Sequence, residues 1–206
     1  MQEKEIMERC RLKFETHKAK LLYEDDSFFI LDWRRADGSV IYYVNYMVDK
    51  RRGVLTVTGD LGESIAVWYN SVTPEKLSSW ISDIGYYIDK IKCSSDLYTY
   101  DSDDVIKDMK QYISDETIQE YVESQTLYED SEEVWEALKE NVERSVECTS
   151  FVPTSELVEI ISDMDDDYWD WIGNCGRRID LRVYLWAVGF QMAIEQLKGE
   201  VKPCQK

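Results

Sequence analysis

Five aspartates, Asp163, Asp165, Asp166, Asp167 and Asp170, fall within eight consecutive positions. They are the densest set of oxygen donors in the chain, and Mg²⁺ and Ca²⁺ take carboxylate oxygens. Their spacing argues against a metal. An EF-hand loop alternates its ligands, turns on a central glycine and closes with a glutamate at its twelfth position, and this cluster has none of that pattern. The sequence therefore predicts no metal and no cofactor. The aspartates read either as a solvated loop or as a patch facing a cationic partner, because carboxylates are not buried without counter-charge. Trp169 and Trp171 flank Asp170, with Tyr168 alongside. These aromatics are either core anchors that pin the loop or exposed contact residues for a protein partner.

Other chemistry is sparse. His17 is the only histidine, which excludes His-rich metal sites, and no Ser or Cys has the local sequence of a Ser-His-Asp or Cys-His nucleophile. Gly59-Asp60-Leu61-Gly62 lacks the Lys-Ser/Thr of a phosphate-binding loop and the third glycine of a dinucleotide loop, and a strand follows it. It reads as a tight turn in which glycine supplies positive φ and Asp60 bonds the local backbone. Cys10, Cys93, Cys148, Cys175 and Cys204 are odd in number and without CxxC spacing, as expected of reduced thiols in a cytoplasmic protein. The N-terminal residues carry no apolar signal-peptide core, and the longest apolar run, 181–194, falls short of the roughly 20 residues that span a bilayer. The expectation is a non-enzymatic protein. An enzyme using carboxylate-bound Mg²⁺ ranks last among the readings.

Whatever these residues do, elements must hold them. Ile6, Cys10, Phe14, His17 and Leu21 recur at three and four and predict a helix over 3–22. Strands are predicted over 28–34, 40–48, 54–58 and 64–69, and their short connections require antiparallel neighbours, a meander. Thr73 as N-cap with Pro74 in the first turn predicts a helix to about residue 92, with Leu77, Trp80, Ile81, Ile84, Ile88 and Ile91 inward. Helical periodicity then recurs over 102–113, 116–127, 131–146 and 156–164, and a helix from about 178 to 198 is apolar nearly all round, so other elements must enclose it. The fold class is α+β. Two parts are expected, a sheet flanked by helices over 1–92 and an acidic helical part over 93–206 whose buried last helix ties the two together.

Charge divides the chain in nearly the same place. Residues 93–170 hold 24 carboxylates and four basic side chains, a net −20 in a chain whose total is −18. Asp103, Asp104, Glu116, Glu132, Glu133 and Glu156 fall in first helical turns, where the macrodipole favours anions by roughly 0.3–1 kcal/mol each. Others have no such excuse. Glu136 with Glu140, and Glu143 with Glu147, are like-charge pairs four apart, each costing about 0.2–0.5 kcal/mol on a helix. A solvated face usually mixes signs, so the negative surface serves either a cationic partner or general solubility. Direct nucleic-acid binding by this chain is disfavoured, because phosphate contacts supply much of such affinity and need positive charge. The basic residues of the first part, Arg34, Arg35, Lys50, Arg51 and Arg52, sit at strand ends, where they also guard sheet edges.

In the stretch 41–69 an aromatic strand is followed by Leu55, Val57, Gly59, Asp60 and Gly62 and then by Trp68 near a strand end. This resembles a pattern found in small proteins of phages and prophages, and it covers about the first hundred residues. The pattern brings no activity with it. It implies a mobile-element origin, in which small acidic proteins often inhibit host nucleic-acid-binding defences, as anti-CRISPR or anti-restriction proteins do. On that reading Glu136, Glu140, Glu143, Glu147, Asp163, Asp165, Asp166, Asp167, Asp170, Trp169 and Trp171 form the partner-binding surface. The partner is a basic nucleic-acid-binding protein such as a CRISPR effector, engaged by a DNA-mimic-like surface. The alternative is a regulatory protein that binds through aromatic surfaces, its acidity serving solubility.

Overall fold

In chain order the elements are α1 (Glu3–Lys13), β1 (His17–Glu24), β2 (Phe28–Arg35), β3 (Val44–Asp49), β4 (Val54–Gly59), β5 (Ser64–Val67), α2 (Pro74–Trp80), α3 (Ile84–Lys90), β6 (Ile91–Ser94), β7 (Tyr98–Thr99), α4 (Ser102–Met109), α5 (Asp115–Ser124), α6 (Ser131–Ser145), β8 (Val146–Glu147), β9 (Ser150–Phe151), α7 (Ser155–Ser162), β10 (Arg178–Ile179) and α8 (Leu181–Glu200). They belong to a computed structural model that describes residues 3–200; Cys204 lies outside these. The fold is α+β, as the periodicities require. Two compact units are formed, one from residues 3–97 together with 180–200 and one from 98–179. The division therefore differs from the expected break at 92/93, because α8 packs with α1, α2, α3 and the sheet.

In the first unit six strands lie in sequence order, each antiparallel to the next. Leu31, Tyr46 and Val57 stand side by side in register, and all three are fully buried. Strand alternation thus gives the sheet one apolar face, which α8 covers with side chains buried around its whole circumference from Val183 to Phe190. Gly189 permits the close approach. A methyl there would meet the Tyr46 hydroxyl at 2.5 Å, and that hydroxyl donates instead to the Trp186 carbonyl at 2.9 Å. At the sheet edge Gln196 of α8 accepts from the Ala19 N–H at 3.2 Å and donates to the His17 carbonyl at 3.0 Å, standing where a neighbouring strand would.

Three expected elements change here. The helix over 3–22 ends at Lys13, and His17 begins β1; Lys18 and Lys20 alternate with Ala19 and Leu21, and pairing with β2 decides in favour of that two-residue period. The strand over 40–48 begins only at Val44, because Tyr42 takes φ +56°. The helix over 73–92 starts as expected, with the Thr73 hydroxyl accepting from the Lys76 N–H, but Asp83 then caps a second helix by accepting from the Tyr86 N–H. This resets the phase. Tyr87 is buried, whereas Trp80, Ile88 and Ile91 are only half-buried, and the chain from Ile91 leaves the helix to pair with β5.

The second unit is helical as expected. Asp101, Ser114, Asp130 and Thr154 cap α4 to α7, each with a side-chain oxygen accepting from a first-turn N–H. Val105, Met109, Ile118, Leu138, Leu157 and Ile161 are fully buried at its centre. Among the described residues no helix is long and apolar enough to cross a membrane.

Candidate functional site

Every fourth residue of α6 decides which way the helix faces. Val134, Leu138 and Val142 are fully buried, so the opposite side must carry the remainder, and Glu132, Glu136, Glu140 and Glu143 are all exposed. At 3.6 residues per turn these four glutamates lie within about 80° of arc, successive members being about 4.5–6 Å apart along the axis. Lys139 borders that arc, about 20° outside it. The second unit holds 23 carboxylates and six basic side chains, a net −17, and most of those bases are engaged elsewhere. Arg178 forks onto Asp108 at 2.8 Å and Asp104 at 2.9 Å. Lys110 lies over the Trp135 ring and Arg177 over the Tyr98 ring. Arg144 donates to the Asn141 side chain and the Glu140 carbonyl. Among the described residues no ion pair reaches the carboxylates of the α6 row.

The row borders an open groove of about 600 Å³ lined by Leu127, Tyr128, Ala137 and five carboxylates, those of Asp130, Glu132, Glu133, Glu136 and Glu140. Two of the five are committed to the backbone. Asp130 accepts from the Glu132 and Glu133 N–H groups, and Glu133 reaches back to accept from the Glu129 N–H at 2.7 Å. Glu132, Glu136 and Glu140 face solvent with the apolar Leu127 among them, 75% exposed. The sequence assigned Glu132 and Glu133 only to the helix dipole and passed over Leu127 and Tyr128. Glu132 was readable as the residue four before Glu136. The groove itself depends on the loop 125–130 and left no signal.

Glu147 needs a correction. It is exposed, but α6 ends at Ser145 and Glu147 lies on β8, paired with Ser150 of β9. It is therefore not the helical partner of Glu143, and the expected like-charge pair between them does not exist.

The Asp163–Asp170 loop divides likewise. Asp165 is half-buried and shapes the loop, accepting from the Asp167 N–H at 2.9 Å and from the Trp171 indole N–H at 2.8 Å. Trp171 is buried and stacks on Tyr112 with ring centroids 4.7 Å apart. It is a core anchor, and its expected place on a partner-binding surface is overturned. Trp169 is the reverse case, 65% exposed, with Asp163, Asp166, Asp167 and Asp170 also exposed. A short 3₁₀ turn over Tyr168–Asp170 separates the two indoles. Among the described residues no group of three or more His, Cys, Asp or Glu side chains has the arrangement of a metal site.

Two of the thiols are buried and unactivated. Burial pushes the Cys10 thiol up to about 11 and the Cys175 thiol up to about 12, so neither is a thiolate near neutral pH. His17 begins β1, its Nε2 3.2 Å from the Tyr42 carbonyl, and desolvation lowers its pKa from the usual 6.5. The Gly59–Gly62 turn is a turn. Both glycines have positive φ, and a Cβ at Gly59 would run into the Tyr43 carbonyl oxygen. Asp60 departs from the expectation that it bonds its own loop, because its carboxylate accepts from the Tyr42 N–H at 2.8 Å across the sheet.

No family model, curated protein or solved structure matches this chain.

Proposed function

We propose that the 98–179 unit is a docking surface for a basic, nucleic-acid-binding protein, and that the chain acts as a non-enzymatic inhibitor of such a partner. A protein of phage or prophage origin that blocks a host defence effector fits this reading. The observation that carries it is the row Glu132, Glu136, Glu140 and Glu143, exposed on one face of α6 with no ion pair to its carboxylates among the described residues, while Arg178, Lys110 and Arg177 of the same unit are committed to other groups. Carboxylates about 6 Å apart along one helix approach, within a small factor, the density of duplex DNA, which carries one charge per about 1.7 Å of axis. The groove with Leu127 and Tyr128 adds an apolar contact beside the charge.

The test is capture of partners by the immobilised chain from host lysate at about 0.1 M and 1 M salt, where the screening length shortens from about 10 Å to 3 Å. Duplex DNA added as competitor should release the captured protein. Reversing Glu132, Glu136, Glu140 and Glu143 to Lys changes the surface charge by +8 and should abolish capture. A reversed protein with native circular dichroism that still captures the same partner would sink the proposal.

A second reading rests on Trp169, whose exposed indole among aspartates suits an aromatic contact residue. In that case capture is insensitive to salt, and Trp169→Ala removes it while the charge reversal does not.

A further inference from the structure

The sheet of the first unit has a second face, opposite the one that α8 covers. Leu31, Tyr46 and Val57 point to α8, and the Ser64 hydroxyl, next in that register, lies 3.4 Å from the Tyr87 hydroxyl of α3. Residues that alternate with these point the other way. One row of them crosses all six strands in register: Tyr23 on β1, Ile30 on β2, Met47 on β3, Thr56 on β4, Ile65 on β5 and Cys93 on β6. Tyr23, Met47 and Ile65 are 50%, 37% and 40% exposed. In the neighbouring row of the same face stand Phe28 of β2, 38% exposed, and Val67 of β5, linked in register through Asp49 and Val54. A contiguous apolar band open to water marks a contact surface.

The band matches itself when reversed. Isoleucines occupy β2 and β5, equally far from the line between β3 and β4, and Met47 and Thr56 flank that line. A two-fold axis along it, parallel to the strands and in the plane of contact, brings β2 of one chain over β5 of a second copy and β3 over β4. Ile30 then faces Ile65, Met47 faces Thr56, and Phe28 faces Val67, an isologous contact. Charge follows the same reversal. Lys18 and Lys20 lie on the β1 side of this face, and Glu63, which alternates with the buried Ser64, lies on the β5 side; all three are exposed, and among the described residues none of them is in an ion pair. Reversal sets Glu63 over β2 of the second copy, where Asp32 is 7% exposed and already bonded to Arg34 at 2.9 Å, so the group left for Glu63 is the Lys20 ammonium alongside.

We propose that this face is the interface of a homodimer in which two copies of the sheet pack face to face, aligned within about 30° and about 10 Å apart. The occupant is a second copy because the pattern of side chains and the placing of Lys20 and Glu63 are complementary to themselves under one rotation. A twisted sheet is also matched in shape by another of the same twist. Six strands about 4.8 Å apart, with three rows of outward side chains about 6.8 Å apart, give roughly 500 Å² per chain and about 1,000 Å² for the pair, which reaches the lower limit of a specific interface. The contact uses no residue of 98–179, so it stands apart from the docking surface proposed there.

Sedimentation equilibrium of the purified full chain, at about 0.3 M salt to screen the repulsion between two negative molecules, should show monomer and dimer in exchange between about 1 μM and 1 mM. Ile65→Lys should weaken the dimer at least about tenfold with circular dichroism unchanged, because the new charge stays in water in the monomer and is buried in the dimer. Met47→Lys should do the same, and it decides should the first variant misfold. Cross-linking reads the geometry. In a chain carrying Cys93→Ser, Cys148→Ser and Cys204→Ser, the variants Ile30→Cys and Ile65→Cys are prepared separately and treated with a bismaleimide just long enough to bridge facing sheets. The mixture should cross-link and neither variant alone should, since Ile30 of one chain lies three strand spacings, about 14 Å, to the side of Ile30 of the other. A chain that is monomeric at about 1 mM, a dimer indifferent to both lysine variants, a mixture that fails to cross-link, or a cysteine variant that cross-links with itself would each overturn the proposal.

Discussion

The two units solve the same packing problem with opposite surfaces. In the first, sheet and helices bury Trp33, Tyr46, Phe14 and Trp186 completely, and outside residues 98–179 the chain carries 18 basic and 19 acidic side chains, a net −1. In the second, short capped helices enclose a core of mostly aliphatic side chains under a net −17. A core needs an apolar stripe on each helix but leaves the other face free. The difference teaches that the acidity is not demanded by folding, since the first unit folds without it. Surface charge of one sign acts through solubility, steering and choice of partner.

Trp171→Ala is expected to have the largest effect, about 3–5 kcal/mol of lost stability, because it empties a buried site and leaves Asp165 without its indole donor. Urea unfolding followed by circular dichroism measures it. Trp169→Ala, two residues away, should change stability by less than about 0.5 kcal/mol, and an equal cost at both positions would erase the distinction between anchor and exposed contact. Gly59→Ala comes next, at about 2 kcal/mol or more, since it combines positive φ with a backbone collision. Asp130→Ala removes the acceptor for two first-turn N–H groups of α6 and should cost about 1 kcal/mol by the same measurement.

Acid should separate the units by pH window. His17 has a folded pKa below its unfolded 6.5 because of burial, so the unfolded chain binds more protons there. The stability that neutral His17 allows is complete above pH 6.5 and declines as pH falls through that value. Asp108 behaves differently. Hydrogen bonds from Arg178 hold its pKa below 3.8, so its contribution is present above pH 3.8 and is lost only as pH falls through the lower folded value. His17→Gln should remove the upper step of the pH profile and leave the lower one, and a profile unchanged by that variant would separate His17 from the acid response.

Much of this was readable and some was not, for reasons that lie in particular residues. The strands around Leu31, Tyr46 and Val57 alternate cleanly, and the stripe Val134, Leu138, Val142 fixed the outward face of α6 and so its glutamate row. Residues 17–24 were hidden because His17 and Leu21 continue the three-and-four spacing of α1, and only pairing with β2 breaks that continuation. Asp83 had a capping residue's chemistry, yet the apolar run through Ile91 masked the break. For Trp169 and Trp171 composition offered no distinction, because one 3₁₀ turn and one hydrogen bond from the Trp171 indole to Asp165 send the two indoles to different environments. The outward row from Tyr23 to Cys93 takes one residue from each of six strands, and no local pattern fixes which of them stand side by side.

The first unit is written in two pieces of chain, with the whole second unit between them, and this sets a schedule for synthesis. When residue 97 has emerged, the sheet has all six strands but lacks α8, so the apolar face around Tyr46 stays open until residue 180 and beyond are made. At about 5–20 residues per second the 82 intervening positions take roughly 4–16 s. During that interval the 98–179 unit, whose strand pairings and core residues lie within its own stretch, can complete itself, and its negative charge would travel on the same nascent chain as the uncovered sheet. A ribosome that pauses within 98–179 lengthens the exposure, whereas a circular permutant joining α8 ahead of α1 would abolish it.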